Sequence, residues 1–320
     1  MMIKTRGLTK YYGSMMAVDH IDLNIEPGEI YGFLGPNGAG KTSTIMMLLG
    51  LSKPTSGEIY LFGKKYPYGS LEQRKRIGVV PEKHPQGMWR WMTGWDYLKL
   101  FANLFDVKNS GVRIEYLMEK VDLLKVRNKS ISKYSRGMIQ KLSFIRALLH
   151  DPDILFLDEP ISGLDPIGIK QIRDLIITES REGRTIFTSS HLLSEMEKIC
   201  HRMAIIHNGR LLVENTMGNL LSGLSGEREI IVELDEIPSD IENLINKLQF
   251  VINVAVIGNI LKIRVQKKGD FRKELSTFLY SRNCIPLNIH EKQISLEEAF
   301  ITITRDNIES LTQTGVLNES

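Results

Sequence analysis

Short apolar runs alternate with amphipathic segments along the first two thirds of the chain. The runs 29–34, 154–157 and 185–189 have the length and the branched or aromatic content of buried strands. Helical spacing of apolar positions occurs over 42–49, 136–149, 167–182 and the segment after His191. Because strands that alternate with helices build parallel sheets, the pattern predicts an α/β fold with a mostly parallel core sheet covered by helices.

Segments outside this alternation are predicted to form short strands and a helical block. Strands are predicted at 8–12 and 21–25. Residues 93–132 are predicted to be mainly helical, with one apolar face made of Leu98, Phe101, Leu104 and Phe105.

A glycine-rich break separates this part from a second pattern. Three glycines and two serines predict a linker over 218–226, which sets off a first domain at 1–217. Beyond it, a β-α-β-β-α-β order predicts a small α+β domain of ferredoxin-like arrangement at 227–308, followed by a flexible tail at 309–320. The predicted elements of that domain are strands at 229–234, 251–257, 260–266 and 285–291, and helices at 239–249 and 269–282.

Composition and charge exclude several classes of protein. The 320 residues are 42% hydrophobic and 25% charged, which is typical of a well-packed globular protein. A net charge of +3 without a clustered basic face argues against nucleic acid as a partner. The only cysteines, Cys200 and Cys284, match neither a zinc motif nor a disulfide framework. No apolar run is long enough to cross a bilayer, so work at a membrane would require a partner.

Residues 35–42 carry the first candidate chemistry. They fit G-x-x-x-x-G-K-[ST] between a predicted strand and a predicted helix, which is the context of a phosphate-binding loop. Glycines let backbone N–H groups turn inward, and the helix N-terminus adds the positive end of its dipole. Lys41 is expected to reach the β- and γ-phosphates of ATP, and the Thr42 hydroxyl to coordinate Mg²⁺. A chance match occurs in roughly 1% of chains of this length, so the loop predicts ATP binding.

Two carboxylates follow the apolar strand at 154–157. Asp158 and Glu159 emerge at its C-terminal end, where ligands bind in α/β sheets. Asp158 is placed to hold Mg²⁺, and Glu159 to polarise a water that attacks the phosphate. Without the loop upstream, the default interpretation would be ordinary exposed acids at the end of a strand.

Residues 134–138, Tyr-Ser-Arg-Gly-Met, resemble the signature of the ATP-binding cassette (ABC) family, usually written LSGGQ. The resemblance covers about the first 215 residues. It implies a P-loop NTPase cassette with an antiparallel β subdomain and a helical signature subdomain. In that family Ser135, Arg136 and Gly137 would close over an ATP held by the opposite subunit. Read alone, Ser135 is a helix cap, and Arg136, which stands in place of a glycine, is either a surface charge or an added cation near the partner's nucleotide.

The resemblance also assigns roles to residues around the loop. Tyr12 would stack on adenine, unless it is a packed strand aromatic. His191 matches a histidine that contacts the γ-phosphate, and Asp165 lies in a segment that touches the partner subunit. Glu82 stands where the family has a glutamine and is expected to join Thr42 and Asp158 at the metal. The implied nucleotide-binding set is Tyr12, Gly35, Pro36, Asn37, Gly38, Ala39, Gly40, Lys41, Thr42 and Ser43.

Residues 88–95 contain all three tryptophans of the chain. They predict either the core of a helical subdomain or a groove that accepts a helix of a membrane subunit, because aromatic residues and Met are common interface anchors. Trp89 and Trp91 are the candidate anchors. Near the end of the chain, 295–300 resembles a C-terminal element of export-type cassettes.

Together these features predict a subunit that binds and hydrolyses ATP, with Glu159 and His191 as catalytic residues. Two copies, or one copy and a related cassette, would enclose two Mg-ATP and power transport, in the export direction, through separate transmembrane permease subunits. The expected location is the cytoplasmic face of the cell membrane, as a peripheral subunit that is soluble when isolated. The alternative is a soluble cassette ATPase of translation or DNA repair, although the chain has one phosphate loop and no cysteine pair for zinc.

Overall fold

The computed structural model describes residues 1–66, 70–82, 90–216, 228–238, 240–266 and 269–291. These residues form two compact units, one ending at 216 and one beginning at 228. Each unit has its own hydrophobic core.

The strands of the first unit are, in chain order, β1 (Ile3–Tyr12), β2 (Met15–Ile21), β3 (Asn24–Ile25), β4 (Ile30–Leu34), β5 (Ser56–Leu61), β6 (Lys64–Lys65), β7 (Ile77–Val80), β8 (Ile154–Asp158), β9 (Thr185–Ser190), β10 (Arg202–His207) and β11 (Arg210–Thr216). Its helices are α1 (Lys41–Leu48), α2 (Leu71–Arg74), α3 (Gly94–Leu104), α4 (Ser110–Lys120), α5 (Arg136–Leu148), α6 (Pro166–Arg181) and α7 (Leu193–Met196). Short 3-10 turns lie at Leu124–Val126 and Ile131–Lys133.

A six-stranded sheet in the order β11-β10-β4-β9-β8-β7 forms the centre of the first unit. Neighbouring strands from β10 to β7 are parallel, and β11 is antiparallel at one edge. Every residue of β4, β8 and β9 is buried, as in parallel strands covered on both faces. The predicted α/β class with a mostly parallel sheet is confirmed. Because β4, β9 and β8 are neighbours, their carboxyl ends meet at one edge, where ligands of such sheets bind.

A second sheet, β2-β1-β5-β6 with β3 on β1, is antiparallel throughout. It is the antiparallel β subdomain that the family resemblance implied. The predicted strands at 8–12 and 21–25 were wrong in their extent, because β1 begins at Ile3 and β2 occupies Met15–Ile21. The pairing of β1 with β2 shifts register twice, and such irregularities break the two-residue alternation on which strand prediction depends.

Helices α3, α4 and α5 form the helical part of the first unit, in agreement with the predicted helical block. The predicted apolar face was wrong at its C-terminal end, because Leu104 is 66% exposed and Phe105 is 41% exposed. Leu104 follows Leu98 by six residues, which is about 240° around a helix of 3.6 residues per turn. Helix α3 instead buries Gly94, Tyr97, Leu98 and Ala102.

The second unit contains β12 (Arg228–Leu234), α8 (Ile241–Ile245), β13 (Val251–Ile257), β14 (Ile260–Val265), α9 (Arg272–Ser281) and β15 (Pro286–Glu291). Its strands pair antiparallel in the order β13-β14-β12-β15. This order and the predicted β-α-β-β-α-β sequence of elements define the ferredoxin-like arrangement, which is confirmed. The first helix is shorter than the predicted 239–249, and the predicted element at 295–300 lies outside the described residues.

Candidate nucleotide site

The loop at 35–40 leads from β4 into α1 and is shaped by its glycines. Gly40 has φ 105°, and a Cβ atom there would overlap the carbonyl oxygen of Ala17. Gly35 has no room for a side chain either, because a Cβ atom would overlap the backbone of Ile206. Glycine allows this close packing and positive φ, and the N-terminus of α1, which directly follows the loop, favours an anion.

Lys41 is the first residue of α1 and is only 6% exposed. Its Nζ donates hydrogen bonds to the carbonyl oxygens of Gly35 (2.7 Å) and Pro36 (3.2 Å). The same nitrogen lies 3.3 Å from Glu159 Oε1. A buried ammonium is stable only when it is paired and hydrogen-bonded, so these contacts hold the charge at the loop and ready for phosphate oxygens.

Oxygen atoms suited to Mg²⁺ meet beside the loop. Thr42 Oγ1 lies 3.2 Å from Asp158 Oδ2, close to the roughly 3 Å between neighbouring ligands of an octahedral Mg²⁺ shell. Glu82 lines the same cleft. Among the described residues, no three Asp, Glu, His or Cys side chains form a group that could hold a metal by themselves. The donor set fits Mg²⁺, which proteins commonly bind through one or two carboxylates and substrate phosphates.

Ser189 of β9 connects the two acids that end β8. Its Oγ donates a 2.5 Å hydrogen bond to Asp158 Oδ1 and accepts one of 3.1 Å from the backbone N of Glu159. Because β9 lies between β4 and β8, this residue bridges the gap between the loop and the acids. Sequence reasoning predicted the strand but did not single out Ser189, since a serine in a buried strand carries no motif.

Glu159 sits at the centre of the cleft in an unusual backbone conformation. Its φ is 49°, a left-handed value that non-glycine residues rarely adopt. Its carboxylate is buried, with Oε1 toward Lys41 and Oε2 2.8 Å from His191 Nδ1. The His191 side chain is 42% exposed. For this hydrogen bond, Nδ1 of His191 carries the proton and donates it to the carboxylate.

The cleft around these groups has a volume of about 640 Å³. It brings together most of the loop residues predicted to bind nucleotide, and also Ser43, Glu82, Glu159 and His191. Ser162, which begins the segment of Asp165 that resembles a partner-contacting loop of the family, also lines the cleft. Further lining comes from residues that were not predicted to belong to the site: Met15, Met16, Ala17, Asn208 and Gly209. Most of these lie on β2 and on the turn between β10 and β11, far from the loop in sequence and without a motif of their own.

Tyr12, the predicted adenine-stacking residue, lies at the end of β1 and pairs with Met15 of β2. Its side chain is 46% exposed and is not part of the described cleft lining. The ammonium of Lys10 lies 5.0 Å from the centre of its ring. Tyr12 is therefore a neighbour of the cleft and not a packed core aromatic, and its role toward adenine stays a prediction.

The signature residues lie away from this chain's own cleft. Ser135 caps α5 by accepting a 3.2 Å hydrogen bond from Met138 N, and Asp165 caps α6 by accepting one of 2.7 Å from Gly168 N. Gly137 has open space where a Cβ atom would lie. Arg136 is exposed, and its guanidinium packs against Gly163. These side chains do not line the described cleft, and their role toward a partner's nucleotide stays a prediction.

The family model described as ABC transporter matches residues 18–162 of this chain. The chain is 47% identical over 214 residues to the bacitracin transport ATP-binding protein BcrA of Bacillus licheniformis, covering 67% of this chain and 69% of that protein. It is 36% identical over 307 residues to the ABC transporter ATP-binding protein YcbN of Bacillus subtilis (strain 168), covering 96% of this chain and 98% of that protein. A solved dimeric ATP-binding cassette, in a post-hydrolysis state with ADP and Pi, has the same fold at a TM-score of 0.61 and 23% identity, covering 68% of this chain and 99% of that one.

Proposed function

Because this chain belongs to the ABC transporter family as an ATP-binding, ATP-hydrolysing subunit, we propose that it pairs with a second cassette around two Mg-ATP and drives separate membrane-spanning subunits. The single observation that carries the proposal is the buried contact set of Glu159 with Lys41 and His191. It joins a phosphate-binding cation, a carboxylate and a histidine in one cleft.

The chain's own residues account for hydrolysis in the following order. The γ-phosphate of ATP takes hydrogen bonds from Lys41 Nζ, which loosens the 3.3 Å contact of that nitrogen with Glu159. The carboxylate of Glu159 then takes a proton from a water whose oxygen attacks the γ-phosphorus. The bond from that phosphorus to the β,γ-bridging oxygen breaks, and ADP leaves with phosphate as the other product. His191 fixes the carboxylate through Nδ1, and an Nε2 that also carries a proton would donate it to a phosphate oxygen. A Mg²⁺ ion held through Thr42, Asp158 and Glu82 would neutralise charge on the β- and γ-phosphates.

The second cassette supplies the groups that the cleft lacks. Ser135, Arg136 and Gly137 lie at the exposed N-terminus of α5, outside the described cleft lining. A hydroxyl, backbone amides and a helix dipole in one place favour an anion, and the partner's γ-phosphate is that anion in this proposal. Asp165 is proposed to lie at the dimer contact. The dimeric cassette of the same fold supports this arrangement.

The proposed direction of transport is export across the cell membrane, from its cytoplasmic face. The bacitracin transport protein that is 47% identical supports this, and a cassette of translation or DNA repair is not favoured. Among the described residues, no helix combines the length and the apolar content needed to span a bilayer. In this proposal the membrane path belongs to separate permease subunits.

The proposed domains are an ATP-binding domain at 1–217, a linker at 218–226, an accessory domain at 227–308 and a tail at 309–320. The amino-acid sequence of the accessory domain carries no catalytic motif. Its proposed role is to support or regulate the cassette dimer.

Glu159→Gln tests the proposed chemistry. The amide keeps the size of the side chain but cannot act as a base, so kcat for ATP hydrolysis is expected to fall by about 100-fold or more. ATP affinity is expected to stay within a few-fold, and an ATP-bound dimer is expected to accumulate on size-exclusion chromatography. The matched control is Glu197→Gln, an exposed carboxylate outside the described cleft lining, for which turnover should be unchanged. Wild-type turnover in Glu159→Gln would remove Glu159 as the base.

A further inference from the structure

Arg136 and Gly163 make a contact that the roles assigned so far do not use. Arg136 is the first residue of α5, and Gly163 lies in the turn that leads into α6. A Cβ atom built on Gly163 would fall within the guanidinium of Arg136, with Nη1, Cζ and Nη2 as its nearest neighbours. The planar end of the arginine therefore rests directly on the glycine backbone, in space that any other residue at 163 would fill.

Gly163 belongs to a chain of turns that starts at the catalytic carboxylate. The backbone N of Ser162 donates a 3.2 Å hydrogen bond to the carbonyl oxygen of Glu159, and Leu164 N donates one of 3.3 Å to Ile161 O. Ser162 also lines the nucleotide cleft. Glu159 and Gly163 both have positive φ, 49° and 66°. A left-handed conformation at a glutamate persists only where its surroundings hold it, so the packing on this turn bears on the geometry of Glu159.

The surroundings of Arg136 distinguish this contact from an ordinary surface charge. Within the described part of the chain, no carboxylate lies within ion-pair distance of its guanidinium. The residue is exposed, so its side chain could extend into solvent, yet its guanidinium packs against a glycine. A planar guanidinium suits such stacking, whereas the ammonium of lysine does not.

We propose that Arg136 is a positioning residue for ATP hydrolysis: its guanidinium packs on Gly163 and holds the 159–163 turn, and with it Glu159, in the hydrolytic geometry. The inference rests on the proposed role of Glu159 as the base. It also gives a reason for glycine at 163, which leaves room for the guanidinium and accepts a positive φ. Since Arg136 lies next to Ser135, the contact joins the segment proposed to meet the partner's nucleotide to the wall of this chain's own cleft.

The test is a double-mutant cycle of Arg136→Ala and Gly163→Ala, measured on the full chain with Mg-ATP. Each single variant is expected to lower kcat by roughly 10- to 100-fold, the range for a misplaced catalytic group, with KM for ATP unchanged. The double variant should be no slower than the slower single variant, because both changes break the same contact. Additive effects would mean that Arg136 and Gly163 act independently of their contact and would overturn the inference.

Arg136→Lys separates positioning from charge. It keeps the cation but loses the flat surface, so its kcat should stay close to that of Arg136→Ala. Recovery of wild-type kcat in Arg136→Lys would show that the charge matters, as for a cation that reaches the partner's nucleotide, and would refute the positioning role. A wild-type kcat in Arg136→Ala would identify Arg136 as an ordinary surface charge and would also refute the positioning role.

Two controls keep the outcome interpretable. Lys133→Ala removes another exposed cation just before α5 and should leave kcat unchanged. The urea midpoint of Arg136→Ala should match that of the wild type, since an exposed side chain adds little to stability. If Glu159→Gln loses turnover while Arg136→Ala does not, the inference fails and the proposed function stands.

Discussion

At the scale of single residues, the burial of His150 makes the stability of the first unit depend on pH. Its Nε2 lies 3.0 Å from the carbonyl oxygen of Ile77, and its ring centre lies 4.4 Å from that of Phe105. Burial lowers the pKa of His150; the carbonyl of Ile77 and Asp151 oppose this shift, and Arg113 adds to it. The folded state therefore stabilises the neutral form of the His150 ring relative to the protonated form.

The stability of the first unit is expected to fall as the pH is lowered below the unfolded pKa of histidine, about 6.5. With a lowered folded pKa, the unfolded chain binds more protons in this range, so the contribution is present above about pH 6.5 and is lost below it. The urea midpoint, followed by tryptophan fluorescence at pH 7.5 and pH 5.5, should show this loss. All three tryptophans lie at 89–95, so the signal reports on the first unit.

His150→Gln is the matched variant, because its amide can still donate to the carbonyl of Ile77 but does not titrate. The fall in midpoint between the two pH values should be smaller in this variant than in the wild type. His290→Gln, at an exposed position of the second unit, should change nothing. An equal pH response in His150→Gln and the wild type would contradict the assignment.

Residues with a motif could be placed from the sequence, and residues without one could not. Lys41, Asp158 and Glu159 follow from the loop and the strand, and His191 follows from the family resemblance. The fold brings Lys41 and His191 into contact with Glu159. Ser189 bridges the two acids, yet only the pairing of β9 with β8 gives it that position. Tertiary pairing of this kind leaves no trace in local sequence.

At the scale of elements, an ion network joins the helical part to the core sheet. Glu179 of α6 is 1% exposed and accepts a 2.7 Å hydrogen bond from Lys120 at the end of α4. Its other oxygen lies 2.9 Å from Arg184, just before β9. Burial alone would lower the pKa of Lys120, but its hydrogen bonds to Glu179 and Glu182 outweigh burial and raise that pKa. The network therefore stabilises both charges in a nearly dry position.

Glu179→Ala is expected to lower the free energy of unfolding by about 3 kcal/mol, because it removes the buried carboxylate that Lys120 and Arg184 share and leaves them only the more exposed Glu182 and Asp151. The measurement is urea unfolding followed by tryptophan fluorescence. Glu182→Ala is the matched control on the same helix end: Glu182 is 41% exposed, and a loss below about 1 kcal/mol is expected. Equal losses in the two variants would mean that burial of Glu179 is not decisive.

Helix α6 illustrates what periodicity can and cannot predict. The pattern at 167–182 predicted the helix, and the structure has it at Pro166–Arg181. The buried face includes Ile172, Leu175, Ile176 and Glu179, so the acid follows the apolar spacing. A sequence pattern places Glu179 on that face, but it does not identify the ion-pair partners of Glu179, because Lys120 and Arg184 lie on other elements. For the same reason, the pattern could not show that Leu104, at the C-terminal end of α3, stays exposed because no other element packs over it.

At the scale of the whole molecule, the proposed docking of a membrane subunit depends on an exposed aromatic. Trp91 is 74% exposed, whereas Trp95 is half-buried with the guanidinium of Arg127 5.1 Å from its ring. Large exposed aromatics are common anchors of interfaces. Trp89, the other candidate anchor, lies outside the described residues.

Trp91→Ala should reduce co-purification with co-expressed membrane-spanning subunits by about tenfold or more, since loss of an aromatic anchor can exceed 1.4 kcal/mol. The KM for ATP should stay unchanged, because Trp91 is not part of the described cleft lining. Trp91→Phe should retain most of the binding. A collapse of ATP affinity or a lower urea midpoint would instead identify Trp91 as part of the folded core.

The sequence of strands and helices in each of the two units was the most predictable property of the molecule. Alternating strands and helices, followed by β-α-β-β-α-β, define the core sheet and the ferredoxin-like arrangement without any tertiary information. The extent of β2 was not predictable, because its irregular pairing with β1 breaks the alternation that would reveal it.

The left-handed backbone of Glu159 has a consequence for laboratory evolution. A non-glycine residue in this conformation costs about 1 to 2 kcal/mol relative to glycine, and the carboxylate is also buried. Glycine at this position would relieve that cost, but it would remove the proposed base and leave the buried ammonium of Lys41 without the carboxylate that lies 3.3 Å away. Neither heat resistance nor turnover therefore favours the change. Thermostable variants of this chain are best sought with position 159 held fixed.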